Sequence, residues 1–277
     1  MFKPLIILIF LLPFLSFGQT EVFLDENMNQ IDKKTYNKKC KINIYYCKKD
    51  KTDTTIVNKL YYKYQFGKVS NEDFQILKTF FFKSTGIKFS PTSNIIIKYN
   101  DSLFGYKSTE EKRKIQYNKH LNRYNNSISN IRKKGKFPEF VPHTLKAYTK
   151  SHISFINRQK KCIELVNKNY NSNAIFLYQF DLDHNIMWPD LNWIQDKYGL
   201  FKQLFFKIPN FDGMLILKPD GNFFVSNTIL SEKVFSILLN GDWSNIKQDW
   251  IKTKQKYIKK GFGLFKLESN FKRKNCF

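Results

Sequence analysis

The densest group of metal-binding and acid–base side chains lies between residues 181 and 190. Asp181, Asp183 and His184 stand close together, and Asp190 follows six residues later. Carboxylates and imidazoles bind divalent metals and can also exchange protons with a substrate. The segment follows an apolar run typical of a buried strand, and α/β folds collect ligands at the carboxyl ends of strands. Asp181, Asp183 and His184 are therefore candidate metal ligands, and the alternative is a solvated polar loop.

A lysine-rich stretch, residues 107–136, is the second candidate site. It contains ten basic and two acidic residues, and its few apolar residues recur at helical spacing. Such a surface attracts phosphate, sulfate or carboxylate groups of a polyanion. The candidate anion-binding residues are Lys112, Arg113, Lys114, Arg123, Arg132, Lys133 and Lys134.

The whole chain is strongly basic, with a formal net charge of +24. This charge favours an anionic polymer or an envelope surface as the partner. Only five of the 47 basic residues are arginine, the side chain that binds phosphate groups bidentately. The alternative that the lysine excess reflects the composition of the coding sequence therefore stays open.

Several familiar catalytic and cofactor motifs are missing from the sequence. No two of the four histidines are spaced i, i+4, the usual spacing of helical zinc ligands. Gly-x-Ser-x-Gly, glycine-rich phosphate loops and Cys-x-x-Cys are also absent. Residues 25–29 resemble a calcium loop, but Gln30 and Tyr36 stand where an EF-hand needs glycine and glutamate. We predict a plain polar turn there, and no cofactor.

The four cysteines, Cys40, Cys47, Cys162 and Cys276, permit three complete disulfide pairings. Residues 40–48 predict a strand in which Cys40 and Cys47 point to opposite faces, about 23 Å apart. A bridge between these two would require that strand not to exist. Cys162 is predicted to be a buried structural cysteine in a helix.

The first residues have the composition of an export signal. Lys3 precedes an almost wholly apolar run over residues 5–15, and residues 16–18 form a small-x-small cleavage site. Pro13 interrupts the run, which is shorter than the ~20 residues of a membrane span. We expect cleavage before Gln19 and a periplasmic or extracellular location.

Strand and helix patterns alternate along the rest of the chain. A β lead-in is expected over residues 19–56, and a long exposed helix or helical pair over 107–136. The other strands are expected near 57–69, 94–100 and 174–180, with helices at 71–85, 145–169 and 190–206, a hairpin over 214–226, and helices over 232–240 and 242–260. Ser70 or Asn71 is expected to cap the first of these helices and Gly86 to end it. This order predicts an α/β fold, a mixed sheet flanked by helices.

The order of elements over residues 57–240, with 104–145 as a helical insert, resembles the thioredoxin-like fold. The closest local likeness is residues 213–225, where an apolar strand turns through Asp-Gly into a second strand. The resemblance implies a redox cysteine pair after the second core strand, at the start of a helix, and a cis-proline before the hairpin. Residues 100–106 contain no cysteine, and Phe211 and Asp212 stand where the proline would be.

These features predict an exported, non-catalytic binding or structural module on a thioredoxin-like core. One alternative is a polyanion or envelope-surface binder that uses residues 107–136. Another is a thiol–disulfide or other enzyme of unrecognised type. The predicted organisation is a signal peptide (1–18), the β lead-in (19–56), the α/β domain (57–240) and a C-terminal helix with a basic tail (241–277).

Overall fold

The fold is seen in a computed structural model that describes residues 20–128, 137–183, 191, 193–208, 212–227, 230, 232–255 and 261–266. These residues form seven α-helices and nine β-strands in two sheets, which confirms the predicted α/β fold. They divide into two compact units, a smaller one of residues 20–63 and 245–266 and a larger one of residues 64–244. The export signal lies outside the described residues.

The smaller unit is built on a three-stranded sheet. Its strand order is β1-β3-β2, with β1 parallel and β2 antiparallel to β3. The elements are β1 (Thr20–Leu24), α1 (Lys33–Lys39), β2 (Tyr45–Lys51), β3 (Thr55–Tyr62) and, from residue 245 on, α7 (Trp243–Gln255). Between β1 and α1, residues 25–29 form the expected polar turn, in which the Asp25 carboxylate accepts hydrogen bonds from the backbone N–H groups of Asn27 and Asn29.

The predicted strand over residues 40–48 is wrong in its first half. The Asp32 carboxylate caps α1 by accepting a hydrogen bond from the Thr35 N–H at 2.9 Å, and the helix continues to Lys39, with Cys40 as its C-cap. The chain then turns, and β2 begins only at Tyr45. This turn brings the Cα atoms of Cys40 and Cys47 within 5.8 Å, and the two form a disulfide.

The larger unit is built on a six-stranded mixed sheet of order β4-β9-β8-β5-β6-β7. Strands β5, β6 and β7 are parallel, whereas β8, β9 and β4 pair antiparallel. The elements are β4 (Tyr64–Lys68), α2 (Asn71–Thr85), β5 (Asn94–Phe104), α3 (Tyr106–Ile128), α4 (Leu145–Tyr170), β6 (Ser172–Leu182), β7 (Trp193–Gln195), α5 (Leu200–Leu204), β8 (Gly213–Leu217), β9 (Asn222–Ser226) and α6 (Glu232–Asn240), followed by the start of α7.

The two faces of β5 meet different partners because side chains alternate along a strand. Ile95, Ile97 and Tyr99 belong to the main buried cluster, with Phe81 of α2 and Phe206 just after α5. The intervening Lys98 points to the other face, where its Nζ lies 3.4 Å from Oε1 of Gln159 on α4. The sheet is therefore sandwiched between helices, and β5 is its most central parallel strand.

Two further expectations about the elements differ from the structure. The strand expected over residues 57–69 is two strands in different sheets, since β4 pairs with β9. The helix expected over 190–206 reduces to α5, because residues 193–195 pair with β6 and Gly199 has a φ of 64°, which no helix continues through. On α4, the buried stripe includes His152, Ile156 and Gln159, whereas Ile153 is 52% exposed.

Within the described ranges, no helix is long and apolar enough to cross a bilayer.

Candidate functional site

The candidate site lies where β5 and β6 end. The two strands are parallel, and their last residues, Phe104 and Leu182, are partners in register. Helix α3 begins at Tyr106, so its first turn opens at this edge of the sheet. The backbone N–H groups of a first turn lack intrahelical acceptors and carry the positive end of the helix dipole, so this position attracts an anion.

Asp183 fills the N-terminus of α3. Its Oδ1 accepts a hydrogen bond from the Gly105 N–H at 3.2 Å, and its Oδ2 accepts from the N–H groups of Lys107 at 3.1 Å and Ser108 at 3.3 Å. The Ser108 hydroxyl donates to the same carboxylate. Desolvation by itself raises the pKa of Asp183, but the hydrogen bonds from Ser108, Gly105 and Lys107 outweigh it and hold the pKa below its ordinary value. The anion position is thus occupied by the chain's own carboxylate.

Gly105 allows this close approach. A Cβ atom at residue 105 would overlap the Asp183 carbonyl oxygen, so no larger residue fits without movement of the backbone. The Gly105 N–H also donates to the Leu182 carbonyl at 2.8 Å. Asp183 itself has a φ of 52°, a conformation that aspartate tolerates better than most side chains. Gly105, just after β5, and Asp183, just after β6, are therefore in close contact, and the Asp183 carboxylate caps α3.

Two of the three predicted metal ligands, Asp181 and Asp183, lie within the described residues. Asp183 is engaged by α3, Asp181 is exposed on β6, and His184 lies outside the described residues. Across the residues that the structure describes, no group of three or more His, Cys, Asp or Glu side chains could hold a metal ion. The Asp183 carboxylate, which the sequence suggested as a metal ligand, instead caps α3 from the end of β6.

Asp183→Ala is expected to lower the free energy of unfolding by about 1–2 kcal/mol at neutral pH, because removal of a capping side chain costs this much. The pKa of Asp183 is depressed in the folded state, so its stabilisation is present above the unfolded-state pKa and is lost as pH falls through the folded-state pKa. The difference between wild type and variant should therefore shrink in acid. Urea unfolding at about pH 7 and about pH 3 measures it.

Asp181→Ala is the matched control for that prediction. It removes the same charge from an exposed position two residues away, and it should change the free energy of unfolding by no more than about 0.5 kcal/mol. Equal losses in the two variants would contradict the assignment of Asp183 as the cap.

A second polar cluster lies on the core-facing side of β5. Asp101 and Lys202 form an ion pair of 2.6 Å whose side chains are only 12% and 14% exposed. Asp196 accepts hydrogen bonds from the Lys202 N–H at 3.1 Å and from the Tyr99 hydroxyl at 3.3 Å. Desolvation, reinforced by the Asp196 carboxylate, raises the pKa of Tyr99, which keeps its hydroxyl protonated. The ion pair and the hydrogen bonds compensate these buried polar groups and link β5 to α5.

Lys98 lies on the opposite face of β5, under α4. Its Nζ is 5.4 Å from the ring centre of Phe155 and donates to Gln159. Burial lowers the pKa of Lys98 to about 8; Asp212 opposes this shift and Arg158 adds to it. The backbone N–H of Asp101 donates to Asp212 Oδ1 at 3.1 Å, so Asp212 also links β5 to the start of β8. A lysine in this setting is partly neutral near physiological pH.

The burial of Lys98 should make the stability difference between wild type and Lys98→Met depend on pH. The folded-state pKa of Lys98, about 8, lies below the ordinary 10.5. Between these two values the unfolded chain binds more protons, so the stability of the wild type rises with pH across this window. The variant lacks this gain, so from about pH 7 to about pH 10 its unfolding free energy should fall relative to wild type by about 2 kcal/mol.

Urea unfolding at several pH values measures this change, with Lys114→Met as control for the loss of one positive charge. Lys114 is exposed on α3. A difference that stays constant with pH for Lys98→Met, or that varies equally for Lys114→Met, would contradict the burial of the Lys98 ammonium group.

The basic candidates of residues 107–136 have different surroundings. Lys112 Nζ lies 4.0 Å from the ring centre of Phe104. Arg113 donates hydrogen bonds of 2.8 and 2.7 Å to the Glu110 carboxylate and one of 3.3 Å to the Val141 carbonyl. It therefore links α3 to the segment that precedes α4. Lys114 and Arg123 are exposed. Arg132, Lys133 and Lys134 lie outside the described residues.

Sequence reasoning missed Lys98, Asp101, Lys202 and Asp212. One signal was available, because Lys98 interrupts the apolar run of residues 95–97 in a strand expected to be buried. A charge in such a strand must be compensated by polar neighbours. The identity of those neighbours depends on β8 and α5, which follow about a hundred residues later.

Comparison with protein-family models, with curated proteins and with solved structures finds no match to this chain. The functional interpretation therefore depends on the geometry of the candidate site.

Proposed function

We propose that the protein is an exported, non-catalytic binding module whose larger unit has a thioredoxin-like core. Three features support the fold assignment: β5 and β6 are parallel and are connected through helices, the hairpin β8–β9 lies antiparallel beside β5, and α6 follows the hairpin. Export is supported by the composition of residues 1–18. The excess of positive charge supports an anionic partner.

The observation that carries the non-catalytic role is the Asp183 carboxylate at the start of α3. By the resemblance, an enzyme of this fold would hold a reactive thiol just after β5, because the N–H groups at a helix start lower a thiol pKa. Here the Asp183 carboxylate accepts hydrogen bonds from the N–H groups that follow β5. Cys162 lies midway along α4, is 4% exposed and is already disulfide-bonded.

A disulfide-reductase assay tests the proposal. The purified protein is incubated with insulin and dithiothreitol, alongside Cys162→Ser and an active dithiol oxidoreductase. We expect the protein and the Cys162→Ser variant to leave the uncatalysed rate unchanged, because no thiol sits at the helix start. Turnover above that rate which Cys162→Ser abolishes would overturn the proposal.

A further inference from the structure

An open cavity of about 490 Å³ lies against one face of α4. Five of its six described lining residues are exposed, so it is an open depression in the surface and not an enclosed pocket. The cavity face lies opposite the stripe of α4 that packs on the sheet, because its members recur at helical spacing about half a turn from the buried residues. The described lining residues are Lys150, Ile153, Ser154, Asn157, Arg158 and Lys161.

The lining residues favour an anionic ligand. Three of them are cationic, two are neutral hydrogen-bonding side chains, and none of the described ones is acidic. The whole of α4 carries six basic residues and one acid, Glu164, one turn beyond the cavity. Lys150 and Lys161 are exposed, so their charges can pair with an anion in solution.

The spacing of the cations sets the length of the ligand. Lys150 and Lys161 are eleven residues apart on one helix, which places them about 16 Å apart along its axis. One phosphate or sulfate group cannot reach both. Arg158 lies between them, and its guanidinium is 5.4 Å from the ring centre of Phe155, which orients the planar fork. The ligand therefore carries several anionic groups along an extended chain.

The described lining residues favour a glycan over a single-stranded nucleic acid. Ser154 and Asn157 lie between the cations and can hydrogen-bond to sugar hydroxyl groups. No aromatic ring is among the described lining residues, whereas proteins that bind single-stranded nucleic acids stack bases on aromatic side chains. A partner outside the cell also agrees with the proposed export.

We propose that this face of α4 binds an acidic oligosaccharide, through anionic groups that contact Lys150, Arg158 and Lys161 and hydroxyl groups that contact Ser154 and Asn157. All of these residues lie on α4, whereas the basic candidates predicted from the sequence lie within residues 107–136. The inference rests on the proposed binding role and gives that role a ligand class.

Two double variants with the same change in charge test the site. Lys150→Gln with Lys161→Gln removes the two cations at the ends of the cavity. Lys146→Gln with Lys168→Gln is the matched control, because both lysines are exposed on α4 and neither lines the cavity. Circular dichroism checks that both variants fold. The probe is a heparin-derived hexasaccharide, with affinity measured by isothermal titration calorimetry.

We expect the cavity variant to bind about tenfold more weakly than wild type, because two charge-assisted contacts are lost. The control should stay within about twofold, since long-range charge alone is screened by salt. Equal weakening of both variants would show binding by net charge and would overturn the site, as would unchanged binding by both.

Three further probes define the ligand class. A heparin disaccharide, too short to join Lys150 to Lys161, should bind more weakly than the hexasaccharide. An unsulfated uronic acid hexasaccharide shows whether carboxylate alone supports binding or sulfate is required. A six-nucleotide oligothymidylate that binds the wild type more tightly than either hexasaccharide would overturn the glycan assignment. Reductase turnover would refute the non-catalytic role without changing any of these results.

Discussion

Replacing Asp101 by asparagine is expected to lower the free energy of unfolding by about 3 kcal/mol, and replacing Lys202 by methionine by a similar amount. The two side chains form an ion pair of 2.6 Å and are 12% and 14% exposed. Removal of either one leaves the other charge nearly buried without its partner. The cost of that uncompensated charge exceeds the net contribution of the pair. Urea unfolding measures each loss.

The double variant Asp101→Asn with Lys202→Met distinguishes this mechanism from simple loss of packing. We expect it to lose less than the sum of the two single variants, by about 1–3 kcal/mol, because no charge remains uncompensated. Lys33→Met provides an exposed control, since Lys33 is 68% exposed in its 3.5 Å pair with Glu21. A loss for Asp101→Asn no greater than that for Lys33→Met would contradict the role of the buried pair.

Replacing Cys40 and Cys47 together by alanine is expected to lower the free energy of unfolding by about 2–3 kcal/mol. The disulfide closes a loop with a sequence separation of seven residues at the end of α1. Closing a loop of this size lowers the conformational entropy of the unfolded chain, and this entropy loss corresponds to about that free energy. Urea unfolding of the double variant and of wild type, both without added oxidant or reductant, measures the difference in unfolding free energy. Reduction of the wild type is not an equivalent experiment, because Cys162 is also disulfide-bonded.

Serine at the same two positions serves as the control for packing. Cys40 and Cys47 are both partly exposed, so alanine and serine should give similar losses. Variants as stable as wild type would contradict the inferred contribution of the disulfide. A large difference between alanine and serine would assign the effect to packing.

Elements with local signals were predicted from the sequence. Ser70 caps α2, with its hydroxyl accepting a hydrogen bond from the Asp73 N–H at 3.0 Å, and Gly86 ends that helix with a φ of 72°. The hairpin turn at Gly221, whose φ is 80°, was also predicted from the sequence. In each case the deciding residues lie within one turn of the boundary they define.

Elements decided by distant partners were not predictable in this way. The apolar alternation of Ile42 and Ile44 indicated a strand, but both side chains are buried within a turn that follows α1. The separation of β3 from β4 depends on the pairing of β4 with β9, about 160 residues later. Local periodicity carries no information on such pairing.

The candidate site shows the same division. Asp183 was selected as a metal ligand by residue type and by its place after a core strand, whereas its role as the cap of α3 depends on residues about 75 positions earlier in the chain. Arg113 was selected for its charge, and the structure pairs it with Glu110 one turn away. Composition can identify charged groups, but their partners decide which charges are available to a ligand.

A pH titration that follows the carboxyl ¹³C chemical shift of Asp183 is the sharpest test of its role as the cap of α3. We expect a pKa below the ordinary aspartate value, accompanied by shifts of the Gly105, Lys107 and Ser108 amide protons at the same pH. We also expect added Ca²⁺ or Mg²⁺ to leave these signals in place. An ordinary pKa without those amide shifts, or displacement of the signals by a divalent metal, would contradict the claim that Asp183 closes the start of α3.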